Sequence, residues 1–285
     1  MRTRATLLVG LVTLLGCVCS LGCSPALTTM EPARLVPAHH LQLTAGLYGT
    51  NPMGDVRAAF DSATQMRISE SGLSPDQVTT LMNGAAAVVI APPSAGFEIG
   101  AAYGVTRNFA VGARTTGNTV RANMRFQFLR MAPGFYGSIG LGASVYLYGF
   151  PVQQFTDSVS LTSFARQELD IPISFGFSGR YGHIWLGPKM VLSRYDADVA
   201  ACTQGNTSTC TTTANVAVAG TAAYFGGQLG LAVGYRQYWI AAELTLMHIQ
   251  TNATVDIAMN SMSASTTFAS GGLVVVPALA FLGWF

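Results

Sequence analysis

Gly272-Leu273-Val274-Val275-Val276-Pro277-Ala278-Leu279-Ala280-Phe281-Leu282-Gly283-Trp284-Phe285 is the stretch whose reading decides the fold. At a period of two, Leu273, Val275, Leu279, Phe281 and Phe285 share one face of a strand. The last charged residue before it is Asp256. A soluble domain seldom finishes on a long uncharged strand with an aromatic at its tip. A strand with one continuous apolar face suits a wall that meets lipid.

Composition points the same way. Half of the 285 residues are hydrophobic and only 10% are charged, whereas about a quarter of the residues are charged in a soluble globular chain. Mean hydropathy is +0.39. A membrane helix needs about 20 consecutive apolar residues, and only the N-terminus approaches that. Elsewhere Gly, Ser, Thr, Gln or a charge interrupts each apolar stretch, often at alternate positions. A closed barrel is the other way to satisfy backbone groups in lipid. The 31 Gly, 15 Phe and 10 Tyr suit a packed interior and aromatic girdles. A net charge of +2 gives no footprint for nucleic acid.

The alternation predicts an all-β, transmembrane, antiparallel up-and-down barrel of about ten strands, with eight or twelve as alternatives. The strands are placed at 40–49, 95–105, 108–116, 119–131, 134–148, 168–180, 182–195, 214–235, 237–250 and 268–285. Short turns fall at 106–107, 131–134, 181 and 237. Long connections fall at 50–94, 150–167, 196–213 and 251–267, with Thr116-Gly117-Asn118 as the short exception to the pattern of short periplasmic turns and longer outer loops. In the first long loop, Ser74-Pro75-Asp76-Gln77 reads as a helix start, and Gly84 reads as its end. Ala85–Ala91 is an alternative extra strand.

A charge facing lipid at the midplane costs about 2–4 kcal/mol, so the charges are assigned inward. They are Glu98, Arg114, Arg121, Arg125, Glu168, Asp170, Arg180, Lys189, Arg236 and Glu243. They read either as a selectivity ring or as an internal network of Arg–carboxylate pairs. The network is favoured, because both signs are interspersed and a narrow barrel fills its own interior. The 50–94 insertion reads as a plug or a surface cap.

One stretch carries a resemblance. Glu98-Ile99-Gly100 followed by Tyr103-Gly104-Val105-Thr106-Arg107-Asn108-Phe109-Ala110-Val111-Gly112 resembles the strand–turn–strand of small outer-membrane barrel proteins of Gram-negative bacteria. The chain's last strand resembles the signal that barrel-assembly machinery reads, with Phe281 and Phe285 as its aromatics. The resemblance implies an outer-membrane location, with membrane lipid and that machinery as partners.

Arg2 and Arg4 precede the apolar run Ala5–Leu15, an export signal over residues 1–22. Leu14-Leu15-Gly16-Cys17-Val18-Cys19-Ser20-Leu21-Gly22-Cys23-Ser24 resembles a lipoprotein signal, with Cys23 as the acylated residue, Cys17 as the alternative, or cleavage without lipid. Cleavage before Cys23 leaves Cys202 and Cys210 around a polar loop, a disulfide pair in an oxidising compartment. Residues 23–38 read as a periplasmic tether and 39–285 as the barrel.

Of the four histidines, His39 and His40 read as interface anchors or chance, His183 as a turn residue and His248 as an aromatic-belt residue. No Gly-x-Ser-x-Gly elbow or zinc spacing occurs. The expectation is a protein without catalytic residues, cofactor or metal. Its function reads as a narrow pore for small solutes. The alternative is a non-conducting structural or interaction barrel, presenting its outer loops or serving an envelope complex.

Overall fold

The computed structural model describes residues 25, 27–65, 75–116, 118–147, 159–204, 212–259 and 262–285. The elements follow in the order β1 (Leu41–Gly54), α1 (Asp55–Gln65), α2 (Pro75–Ile90), β2 (Ser94–Gly104), β3 (Phe109–Thr116), β4 (Thr119–Met131), β5 (Phe135–Tyr146), β6 (Val159–Ser178), β7 (Gly182–Gln204), β8 (Thr212–Tyr235), β9 (Tyr238–Met259) and β10 (Met262–Trp284). The ten strands form one closed antiparallel barrel in which each pairs with its sequence neighbours and β10 returns to β1. Phe285 makes the last rung, its N–H donating to Leu41 O and its carbonyl accepting from Leu41 N–H, both at 2.8 Å. Among the described residues, no helix is long and apolar enough to cross a membrane.

The wall is uneven in height. β3 has 8 residues, whereas β7, β8, β9 and β10 have 23, 24, 22 and 23. The described residues of the expected long loops at 150–167, 196–213 and 251–267 are strand. Their alternation persists with its sign reversed. On β9, Ile240, Leu244 and Leu246 face outward and Glu243 and Thr245 inward. Further along, Gln250, Asn252, Thr254 and Asp256 face outward while Ile249, Val255 and Ile257 are buried inside. β7 reverses at the same level, from outward Ile184, Leu186 and Leu192 to outward Arg194, Asp196 and Asp198. The register joins the two levels, since Phe225 pairs with His248, and Thr221 with Asn252.

The outward apolar band on β9 runs from Tyr238 to His248. At ~3.3 Å per residue and a tilt of ~40°, that is about 25 Å tall, the height of a barrel's lipid-facing band. Exposed Tyr103, Tyr181, Tyr235, Tyr238, Phe281 and Phe285 edge it at the rim of short turns.

Two features of the interior depart from expectation. The first long connection carries two helices rather than one. α2 continues past Gly84 to Ile90, so Ala85–Ala91 forms no strand. Gly in a helix interior costs about 1 kcal/mol. Burial of Ala85–Ala87, Val89 and Ile90 against Val191, Tyr224 and Ile249 outweighs it. The supposed tether is also inside: Leu27–Ala33, Leu35 and Val36 are buried within the barrel. The chain enters over Gly104, where a Cβ would run into the carbonyls of Pro37 and Val36.

Candidate functional site: a charged lumen and its plug

Inside the barrel, the described wall buries the cations Arg114, Arg121, Arg125, Arg166 and Lys189, and the carboxylates Glu98, Glu168, Asp170 and Glu243. The cations exceed the carboxylates by one. The buried carboxylate of Glu31, on the N-terminal segment, balances them. Its Oε1 lies 3.2 Å from Arg114 Nη2 and its Oε2 3.1 Å from Arg125 Nη1. Asn123 Nδ2 donates to Oε1 at 3.1 Å. Burial pushes the Glu31 carboxyl up, but Arg125, Arg114 and Arg121, with the Asn123 hydrogen bond, hold it below its ordinary value.

The plug has no sheet partner for its backbone, and buried N–H and C=O groups need one. Wall side chains supply it. Glu243 accepts from the N–H groups of Thr29 and Met30 at 2.7 and 2.8 Å. Lys189 Nζ donates to Leu27 O at 2.7 Å and to Thr29 Oγ1 at 2.9 Å. Arg121 donates to Thr28 O at 3.1 Å, Arg125 to Pro32 O at 2.9 Å, and Arg114 to Thr29 O. Thr28 Oγ1 donates to Glu98 at 2.6 Å, and Gln127 Oε1 accepts from Leu35 N–H at 3.2 Å. Trp185 Nε1 reaches Glu243 at 3.2 Å. Met30 and Ala33 pack with Trp185, Trp239 and Leu282. At the mouth, Arg34 stands over the rings of Tyr136 and Trp284, at 5.8 and 5.9 Å.

The wall also pairs with itself. Arg114 bonds Glu98 at 3.2 Å, and Arg121 bonds Asp170. Gly142 makes room for the second pair; a Cβ there would run into Asp170 Oδ1 and Arg121 Nε. Above the plug, Arg166 donates to the carbonyls of Val89 and Ile90, and Tyr224 Oη to Ile90 O at 2.8 Å. These are orphan carbonyls at the C-terminus of α2, where positive charge is favoured. The α-helical pair thus caps the lumen from the opposite end.

Eight of the ten charges read from the sequence lie in this interior: Glu98, Arg114, Arg121, Arg125, Glu168, Asp170, Lys189 and Glu243. Arg180 and Arg236 do not. Both are exposed on the short turns β6–β7 and β8–β9, where strand alternation has ended and no longer fixes a face. Sequence reasoning missed Glu31, Thr28, Thr29 and Arg166. Glu31 carried one signal, as the single acid in an otherwise uncharged approach to the barrel except for Arg34. His183 is not a turn residue but faces inward and is buried, 4.2 Å from the Trp239 ring. Cys17, Cys23 and Cys210 lie outside the described residues, as does the Cys202 side chain.

The fold is thus a plugged, ten-stranded antiparallel barrel. No family model matches the chain, and no curated protein matches it. Among solved structures it is similar to Ail, the attachment invasion locus protein of Yersinia pestis. The identity is 7%, the TM-score 0.30, and the match covers 87% of this chain and 99% of that one. A major outer membrane protein from Thermus thermophilus matches at 8% identity and TM-score 0.32, over 86% and 99% of the two chains. The ferric yersiniabactin uptake receptor FyuA from Yersinia pestis matches at 9% and 0.35, over 86% of this chain and 45% of that one.

Proposed function

We propose that the protein is an outer-membrane barrel held closed in its resting state. It acts as a structural or interaction protein that presents the tall water-facing ends of β6–β10 and the α1–α2 pair. The observation that carries this reading is the N-terminal plug, whose Glu31 balances the buried lumen charges. The lipid-height apolar band supports the membrane setting. Phe281 and Phe285, exposed beside Tyr238 on the closing strand, support a role in assembly-machinery recognition.

A solute pore requires the plug to leave. Polar contacts hold much of it, and these exchange with water once the segment withdraws. An acyl anchor on Cys23 competes with docking. Cys23 precedes the lumen-buried Leu27 by four residues, which span at most ~14 Å. An acylated chain is therefore expected with its plug withdrawn, and mass spectrometry of the mature chain tests this.

Planar-bilayer recordings test the closed state. The full chain and a variant lacking residues 27–36 alone, in which the helical pair still caps the lumen, are expected to be silent, and a variant lacking both 27–36 and 55–90 to show a stable unit conductance. A steady conductance from the full chain overturns the closed reading.

A further inference from the structure

We propose that the short-turn rim carries a binding site for the headgroup of an anionic phospholipid, built by Arg180, Tyr181, Tyr235 and Arg236. It rests on the membrane-spanning reading above. Each of the short turns β2–β3, β4–β5, β6–β7 and β8–β9 carries or adjoins an exposed arginine: Arg107, Arg130, Arg180 and Arg236. None of these turns holds a carboxylate side chain.

Two of the arginines form a built arrangement. The β6–β7 and β8–β9 turns are adjacent, with Gly234 N–H donating to Tyr181 O at 3.1 Å. The exposed rings of Tyr181 and Tyr235 stack at 5.9 Å and 10°. Arg180 Cζ lies 5.3 Å from the centroid of Tyr181, and Arg236 Cζ 5.2 Å from that of Tyr235. One guanidinium therefore lies against each ring of the aromatic pair. Neither has an ion-pair partner among the described residues. Like charges on two adjacent turns without a counter-charge favour an anion near them. Guanidinium forks match phosphate oxygens in pairs.

The backbone adds a second indication. Arg236 has φ 57°, the left-handed region where Gly, Asn or Asp is the ordinary hairpin residue. The position holds a cation despite that preference. The setting then selects the ligand. Exposed Phe177, Ile184 and Val233 continue from the tyrosines into the apolar band. A phosphate at the arginines would thus have acyl chains running down the wall. That is an anionic phospholipid of the leaflet at this rim.

The test is native mass spectrometry of the full chain released from phosphatidylcholine nanodiscs containing a minority of phosphatidylglycerol. Phosphatidylglycerol should be retained preferentially. Arg180→Gln with Arg236→Gln should lower that retention about tenfold, while Arg107→Gln with Arg130→Gln, the same charge change on the same rim, should leave it within about twofold. Equal losses in both double variants, no preference in the native chain, or displacement by inorganic phosphate overturns the proposal. Co-flotation with vesicles and heat-modifiable migration report insertion separately. A chain that fails to float removes the membrane reading itself, and the site with it.

Discussion

Below Leu192 and His248, the wall of β7–β9 turns leucine and isoleucine outward and charge inward. Above them it turns aspartate, asparagine and threonine outward and valine, isoleucine and tyrosine inward. The backbone is the same antiparallel ladder throughout. The difference lies in what each level meets on its two sides. The lower wall has lipid outside and a polar plug inside, whose unpaired backbone groups demand donors and acceptors. The upper wall has water outside and the apolar run Ala85–Ile90 inside. Polarity in a barrel strand thus reports its surroundings at that height and not a fixed inside and outside.

The largest expected effect breaks the lower interior. Asp170→Ala removes the partner of Arg121 and leaves a cation buried, which should cost about 3–5 kcal/mol in urea unfolding. A loss below about 1 kcal/mol would mean that water reaches the pair. Next, a charge on the lower outer face, Leu244→Arg, should cost about 2–4 kcal/mol in lipid vesicles.

Acid offers a gentler probe of the plug. Glu31 is held below its ordinary protonation range, so its contribution is fully present above the unfolded value. That contribution is lost only as pH falls through the lower folded one. The Glu31-dependent part of protease access to the plug, read as the difference between the native chain and Glu31→Gln, should therefore stay flat from about pH 8 to pH 5 and change only in stronger acid. A change in that difference between pH 7 and pH 5 would contradict the ion-pair geometry. The smallest effect sharpens the contrast with Leu244. Thr254→Arg, ten residues further along the same outward face of β9, should change stability by less than about 0.5 kcal/mol.

The lower wall was legible because lipid imposes one rule on it. Val120, Met124 and Phe126 outward against Arg121 and Arg125 inward can be read from alternation alone. The upper wall hid behind the same rule, since Asp196 and Asp198 would be costly in lipid and so read as loop. Their strand shows only when the outside is taken as water. Ala85–Ile90 has no period that separates helix from strand. The plug was illegible for a different reason: Leu27–Val36 has few large apolar residues, and much of what holds it is wall side chains meeting its backbone. Arg180 and Arg236 were misplaced by carrying alternation beyond the strand ends.

The boundary itself can be measured most directly on β9. Single cysteines at the outward positions 240, 244, 246, 252, 254 and 256, with the native cysteines replaced, would be exposed to a membrane-impermeant maleimide in lipid vesicles. Positions 240, 244 and 246 should stay unlabelled and 252, 254 and 256 should label readily. Uniform labelling along the strand, or protection of Asn252 to Asp256, would contradict a wall that leaves the membrane where its polarity reverses.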